Sequence, residues 1–326
     1  MWRARLGTAT LWRVCGLVPL TLLLAACSPV PSLHRPHAPE PARPSDKPLV
    51  LTSFTVLADL ARQVAGDRLE IRSITRQGAE IHGYEPTPSD LQRAQGADLI
   101  LLNGLGLERW AQRYLAAAGP VPSVVLSQGM QPLLIEDDRA AGKPNPHAWM
   151  SPKRAQGYVD QLVLAFSRLD PAGAPLYRRN GQAYQRQLQA LDRELRSALA
   201  QVPPSRRLLV TCEGAFSYLA RDYGLQEAYL WPVNADSQVT PRRMAALIQE
   251  VRSRRVPAVF CESTVSDKAQ REVARAAGAR FGGTFYVDSL SASSGPAPTV
   301  LKLQRHNIGL IVAGLAAPVP APAPAR

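Results

Sequence analysis

Five histidines give this 326-residue chain its most specific chemistry. His34 and His37 stand among prolines near the front, and His306 falls in an amphipathic stretch near the end, where a structural or surface role suffices. His82 and His147 are different. His82 opens Ile81-His82-Gly83-Tyr84-Glu85-Pro86-Thr87-Pro88-Ser89-Asp90, and His147 sits in Asn145-Pro146-His147-Ala148-Trp149-Met150-Ser151-Pro152. Both are proline-bounded loops, and neutral imidazole is the commonest protein metal ligand. Three acids follow apolar runs that read as strands: Glu213 after 208–212, Glu262 after 256–261 and Asp288 after 284–287. A carboxylate at a strand's carboxyl end lies where open α/β sheets bind ligands. It can equally cap a helix. Spacing alone does not separate Glu213 from Glu262. Two imidazoles and two carboxylates would balance a divalent cation without any thiolate, which disfavours a soft-metal site.

The elements that must position these residues alternate between short apolar runs and amphipathic stretches. Strands are expected at 49–53, 69–74, 99–102 and 124–126, with helices at 56–65, 88–95 and 107–117. Strand–helix alternation of this kind implies parallel βαβ units. The alternation pauses at 152–202. There, two helical segments split near Asp170-Pro171, and Tyr177, Tyr184, Leu188, Leu191, Leu195 and Leu199 mark one apolar stripe over 174–200. A helix of that length is about 40 Å long and suits a stiff rod. Alternation resumes with strands at 208–211, 256–261 and 284–287 and helices at 215–223, 240–253, 267–277 and 300–315. The expected class is therefore α/β: two lobes with parallel sheets joined by a long linker helix. The N-terminal lobe spans 49–170, the linker 171–202 and the C-terminal lobe 203–315.

The ends carry no core. Arg3, Arg5 and Arg13 precede a short apolar run closed by Leu24-Ala25-Ala26-Cys27, which reads as a signal peptide over 1–26. The small residues before Cys27 resemble a bacterial lipobox, in which that cysteine is acylated and holds the chain to a membrane. Residues 27–48 form a tether, with seven prolines in positions 28–48, and 316–326 is an Ala/Pro tail. The formal charge is +12, and loss of the three signal arginines leaves about +9. No basic run is interleaved with aromatics, so nucleic acid is not an expected partner. With Cys15 removed and Cys27 lipidated, Cys212 and Cys261 remain, an even pair suited to a disulfide in an oxidising compartment. If their strands are neighbours, the bond would also fix the approach of Glu213.

The segments His82–Asp90, Asn145-Pro146-His147-Ala148-Trp149, Glu213-Gly214-Ala215-Phe216-Ser217-Tyr218 and Val287-Asp288-Ser289-Leu290-Ser291 together resemble, in order, the four metal-ligand motifs of the zinc/manganese solute-binding lipoproteins that serve ABC-type importers. The resemblance runs from about residue 49 to 315. It implies the two-lobed fold with a rigid linker helix, and the metal ligands His82, His147, Glu213 and Asp288. It also implies an ABC-type permease as partner, a lipid-anchored place on the periplasmic side, a monomer and no enzymatic activity. Ile81 departs from the family, which usually has proline there. Zinc receptors of the family usually carry a third histidine where this chain has Glu213, and often a His-rich loop that is absent here. Both points imply the manganese branch, with Mn2+ as transported ligand and Zn2+ or Fe2+ as alternatives. Ligand identity does not rank affinity, because almost any nitrogen/oxygen site favours zinc over manganese.

Two other functions fit fewer residues. A metallo-hydrolase needs an open coordination position and a general base, and the chain has neither HExxH nor G-x-S-x-G. An adhesin, a role also given to some members of the family, has no feature specific to it. Trp149 and Trp231 are expected to form the apolar shell of the site. Protons should compete with the metal for the histidines below about pH 6.5.

Overall fold

The computed structural model describes residues 46–94, 96–111, 114, 121–136, 140–233 and 239–318. The signal, Cys27, nearly all of the tether, most of the tail, and His34 and His37 lie outside them, as does part of the expected helix at 107–117.

The first sheet is built from β1 (Leu49–Thr52), β2 (Glu70–Ser73), β3 (Leu99–Leu102) and β4 (Ser123–Val125), all parallel in the order β2-β1-β3-β4. Helix α1 (Thr55–Ala65) crosses from β1 to β2, burying Val56, Leu57, Leu60, Ala61 and Val64. Helix α2 (Pro88–Ala94) leads into β3. Strand order reverses between β1 and β3, and their carboxyl ends flank the kind of switch point at which open α/β sheets bind ligands.

Two long helices follow, α3 (Pro152–Leu169) and α4 (Ala174–Ala200). The predicted stripe on α4 is buried, from Tyr177 to Leu199. Gly181 lets the pair approach: a Cβ there would stand 2.5 Å from Val163 Cγ2. The turn between them is pinned by Asp170, which accepts two hydrogen bonds from Arg68, at 2.6 and 3.0 Å, and one from Tyr177 Oη at 2.6 Å.

The second half holds β5 (Leu208–Glu213), α5 (Ser217–Tyr223), β6 (Gln226–Trp231), α6 (Pro241–Ser253), β7 (Ala258–Glu262), α7 (Lys268–Ala277), β8 (Arg280–Phe285) and α8 (Val300–Ala316). β5 pairs with β6 and β7 with β8, both in parallel. β5 and β7 lie side by side, joined by a Cys212–Cys261 disulfide with Cα atoms 4.8 Å apart, about the spacing of neighbouring strands. Helix α6 opens as its Thr240-Pro241 start predicts, with Thr240 Oγ1 accepting from Arg243 N.

Two readings of the sequence need correction. β6 went unread although Ala228-Tyr229-Leu230-Trp231 is an apolar run: the strand opens on the polar pair Gln226-Glu227, and only Leu230 and Trp231 are fully buried. Asp288 does not end a strand: β8 stops at Phe285, and Asp288 lies in the turn beyond. β8 runs earlier than read because it contains Gly282 and Gly283, which carry no apolar signal. The Phe260 ring fills the space over Gly282, where a Cβ would lie 2.4 Å from Phe260 Cε1.

The halves are bonded through side chains. Asp59 of α1 accepts from Val300 N at the start of α8 (2.7 Å), Thr55 Oγ1 accepts from Leu290 N (3.0 Å), and Ser289 Oγ accepts from Gly78 N (2.6 Å). On the other side Arg154 forms a two-pronged pair with Asp222, both bonds at 2.9 Å.

The disulfide closes a 49-residue separation, which in the chain-entropy account stabilises by about 4 kcal/mol. A Cys212→Ser/Cys261→Ser protein should therefore unfold at lower denaturant with a stability loss of that order. It should also bind metal more weakly, because Glu213 is the residue next to the bond. Unchanged unfolding midpoint and unchanged affinity would show that the bond does neither.

Candidate metal centre

Four side chains from four separate segments meet at one point. His82 Nε2 lies 3.1 Å from His147 Nε2, 3.2 Å from Glu213 Oε1 and 3.9 Å from Asp288 Oδ2. His147 Nε2 lies 3.8 Å from Glu213 Oε1 and 4.0 Å from Asp288 Oδ1. All four residues are buried, with exposures of 6, 0, 2 and 1 % for His82, His147, Glu213 and Asp288.

Local chemistry aims each one. The His82 loop is held from both sides: Glu80 accepts the main-chain N–H groups of His82 and Gly83 (2.6 and 2.8 Å), and Trp110 Nε1 donates to Ile81 O (2.9 Å). Downstream, Asp90 Oδ2 accepts from Tyr84 Oη, Thr87 N and Thr87 Oγ1 within 2.8 Å, which folds His82–Asp90 back on itself. His147 is oriented by Asn145, whose amide oxygen faces both the His147 main-chain nitrogen (3.0 Å) and Nδ1 (2.9 Å). Asn145 Nδ2 donates to Gly214 O at 2.7 Å, which fixes the amide's orientation. Nδ1 of His147 must then carry the proton, and Nε2 presents its lone pair to the cluster.

Glu213 closes β5, and Gly214 beside it has no room for a side chain: a Cβ would meet Pro232 O at 2.8 Å. Asp288 is held through its neighbours, since Trp149 Nε1 donates to Val287 O (3.1 Å). The Trp149 ring packs 5.2 Å from His147 and 4.9 Å from Phe54, forming an apolar wall. Trp231 is fully buried and pairs with Glu213 in the β5–β6 register.

The electrostatics are those of a site prepared for a cation. Burial lowers the pKa of His82 to about 3, and burial followed by the neighbouring His82 lowers that of His147 well below its ordinary value. Both imidazoles are therefore neutral and available as donors. Burial, then the charge of Glu80, pushes Asp288 up to about 8. The Thr264 hydroxyl pulls weakly the other way, but the two groups fall short of hydrogen-bond geometry, and among the described residues neither Asp288 oxygen has a hydrogen-bond partner. A buried carboxylate left in this state is costly, and a divalent ion between the four side chains would satisfy both oxygens.

The rival acid, Glu262, lies just behind. It is buried at the end of β7, and its Oε2 accepts from Glu213 N at 3.2 Å. Burial pushes its pKa up to about 8. Its carboxylate lies near the sulfurs of Cys212 and Cys261, but those are joined to each other and offer no thiolate. His306 is remote from the cluster, with Nε2 3.0 Å from Thr284 O. Sequence reasoning carried Asn145 only as part of the His147 motif and gave Glu80 no role, although a glutamate two residues before His82 was a visible signal of a turn-forming side chain.

The family model for the periplasmic zinc-uptake complex component A, ZnuA, matches residues 50–314. The chain belongs to the ZnuA family. It is 46 % identical over 274 residues to the iron-binding protein YfeA of Yersinia pestis, covering 84 % of this chain and 88 % of that one. It is 30 % identical over 278 residues to the manganese ABC transporter substrate-binding lipoprotein PsaA of Streptococcus pneumoniae, covering 83 and 90 %. Among solved structures, the Mn-bound periplasmic metal-binding protein of Candidatus Liberibacter asiaticus superposes with a TM-score of 0.75 at 36 % identity, covering 82 % of this chain and all of that one. The periplasmic zinc-binding protein TroA of Treponema pallidum superposes with a TM-score of 0.78 at 29 % identity, covering 83 % of this chain and all of that one. Members of this ZnuA family are solute-binding receptors of metal ABC transporters rather than enzymes.

The pKa directions revise the expected pH dependence. Histidine protonation is pushed far below pH 6.5, so the first proton a metal must displace is on Asp288. Affinity should be level above about pH 8 and fall below it, by up to about tenfold per pH unit for a single displaced proton. Metal titrations from pH 9 to 5 check this. A plateau persisting down to pH 6.5 would return the effect to the histidines.

Proposed function

We propose that this protein is an extracytoplasmic receptor that captures one divalent metal ion, Mn2+, with His82, His147, Glu213 and Asp288, and delivers it to an ABC-type permease. The observation that carries the reading is the convergence of two neutral imidazoles with two buried carboxylates, one of which has no hydrogen-bond partner on either oxygen among the described residues. Two carboxylates can bind through one or both oxygens, so coordination can exceed four. Manganese accepts that, whereas zinc favours four-coordinate tetrahedral sites. Relatives named for manganese, PsaA and MntA, support the same choice.

Ferrous iron is the second reading, favoured by the 46 % identity to an iron-binding relative. It uses the same four ligands. In either case the working unit is a monomer, acylated at Cys27 and tethered on the periplasmic side of a membrane by residues 27–48. Residues 49–170 and 203–315 act as the two lobes, and 171–202 as the rod between them. The ion joins ligands from both halves, so its arrival would tighten the halves and order the site loops. The permease would read that closed form.

Purified protein offered equal Mn2+, Zn2+ and Fe2+ under anaerobic conditions, then analysed by mass spectrometry, should retain one ion per chain. His82→Ala or Asp288→Ala should lose it, with affinity down by about a hundredfold or more and the fold intact, since loss of even an outer-shell partner costs 10–100-fold. Glu213→His should shift retention towards zinc. No stoichiometric metal in any condition would end the receptor reading.

A further inference from the structure

Behind the four-residue cluster lies a second set of polar atoms that those four residues do not account for. Glu262 ends β7 as Glu213 ends β5, and each follows a cysteine of the disulfide. The Glu262 side chain is 2 % exposed, and its Oε2 is committed to the main-chain N–H of Glu213. Its other oxygen, Oε1, is enclosed and has no hydrogen-bond partner among the described residues. Two residues on, the hydroxyl of Thr264 is enclosed and likewise has no hydrogen-bond partner among the described residues. Enclosed polar atoms in native proteins are normally satisfied, if not by protein then by an ordered water or a bound ligand. Glu262 is tied to the cluster through its bond to Glu213 N at 3.2 Å, and Thr264 lies near Asp288.

We propose that Glu262 is a positioning residue that sets metal selectivity: it fixes the main chain of Glu213 and, with Thr264, holds a water that adds an oxygen donor to the captured ion. The inference rests on the divalent-metal receptor reading above. Two imidazoles and two singly bound carboxylates complete a tetrahedron, which suits zinc. An added oxygen, with Glu213 held where both its oxygens can reach the ion, suits manganese, which takes more oxygen donors. The disulfide makes the arrangement rigid, because it ties the two strand ends at the residues immediately before both glutamates. A Glu262 that only braced β5 against β7 would affect every ion in proportion.

The experiment measures Kd for Mn2+ and Zn2+ by competition with a chelating dye, in wild-type protein, Glu262→Ala, Glu262→Gln and Thr264→Val. Circular dichroism and a count of free thiols establish that fold and disulfide persist. Glu262→Ala should weaken manganese about tenfold more than zinc, the lower end of what an outer-shell partner contributes. Glu262→Gln keeps an amide oxygen for the Glu213 N–H and should recover part of the preference. Thr264→Val should move it the same way by less. If Glu262→Ala fails to fold, the Gln and Val proteins carry the comparison. A manganese-to-zinc ratio unchanged within about threefold in the variants, whatever happens to absolute affinity, would overturn the proposal. Wild-type protein that binds neither ion would instead overturn the receptor reading.

Discussion

The constraint on which the structure turns is the burial of two carboxylates against two neutral imidazoles. Glu213 and Asp288 come within 4.0 Å of both imidazole Nε2 atoms in a space almost closed to water. An isolated carboxylate in such a place costs several kcal/mol, and the molecule's response is visible in Asp288, whose proton is held to about pH 8. A divalent cation removes that cost at once. Local stability and ligand capture are thus the same electrostatic problem.

The scaffold keeps this problem from being solved by relaxation. His147 cannot rotate away without breaking its bonds to Asn145, and Asn145 is itself tied to Gly214. Asp288 cannot retreat while Trp149 holds the Val287 carbonyl and Thr55 and Ser289 bond across to the other half. Glu213 is fixed by its strand, by the disulfide and by Glu262. The α3 and α4 helices pack closely at Gly181. His147 and Asp288 are each restrained by a bond to the opposite half, through Asn145 to Gly214 O and through Trp149 to Val287 O, so a change at either is felt between the halves.

Much of this was legible in the residues. The stripe from Tyr177 to Leu199 predicted the long helix with its observed ends, and the pairing of Cys212 with Cys261 followed from counting cysteines and was found. The histidine loops were legible because proline and glycine mark them. Other features were hidden for physical reasons. β6 opens on two polar residues that mask its short apolar run, and β8 hides behind two glycines whose space is filled by Phe260 and Leu310 from elsewhere in the chain. Nothing in a local window separated Glu213 from Glu262, since both close apolar strands after a cysteine. The family resemblance of the Glu213–Tyr218 segment chose Glu213, and the three-dimensional arrangement gives the physical difference: Glu213 faces His82, and Glu262 faces the Glu213 main chain. The pH at which protons compete is hidden for a related reason, because burial moves the histidines down and Asp288 up, and neither shift is written in residue type.

The most direct test is anomalous diffraction from crystals grown with Mn2+, recorded on both sides of the manganese absorption edge. The account predicts one strong peak per chain, present above the edge and absent below it, at bonding distance from His82, His147, Glu213 and Asp288 together. A peak at any other residues, or none at a metal concentration that saturates the protein in solution, would contradict it.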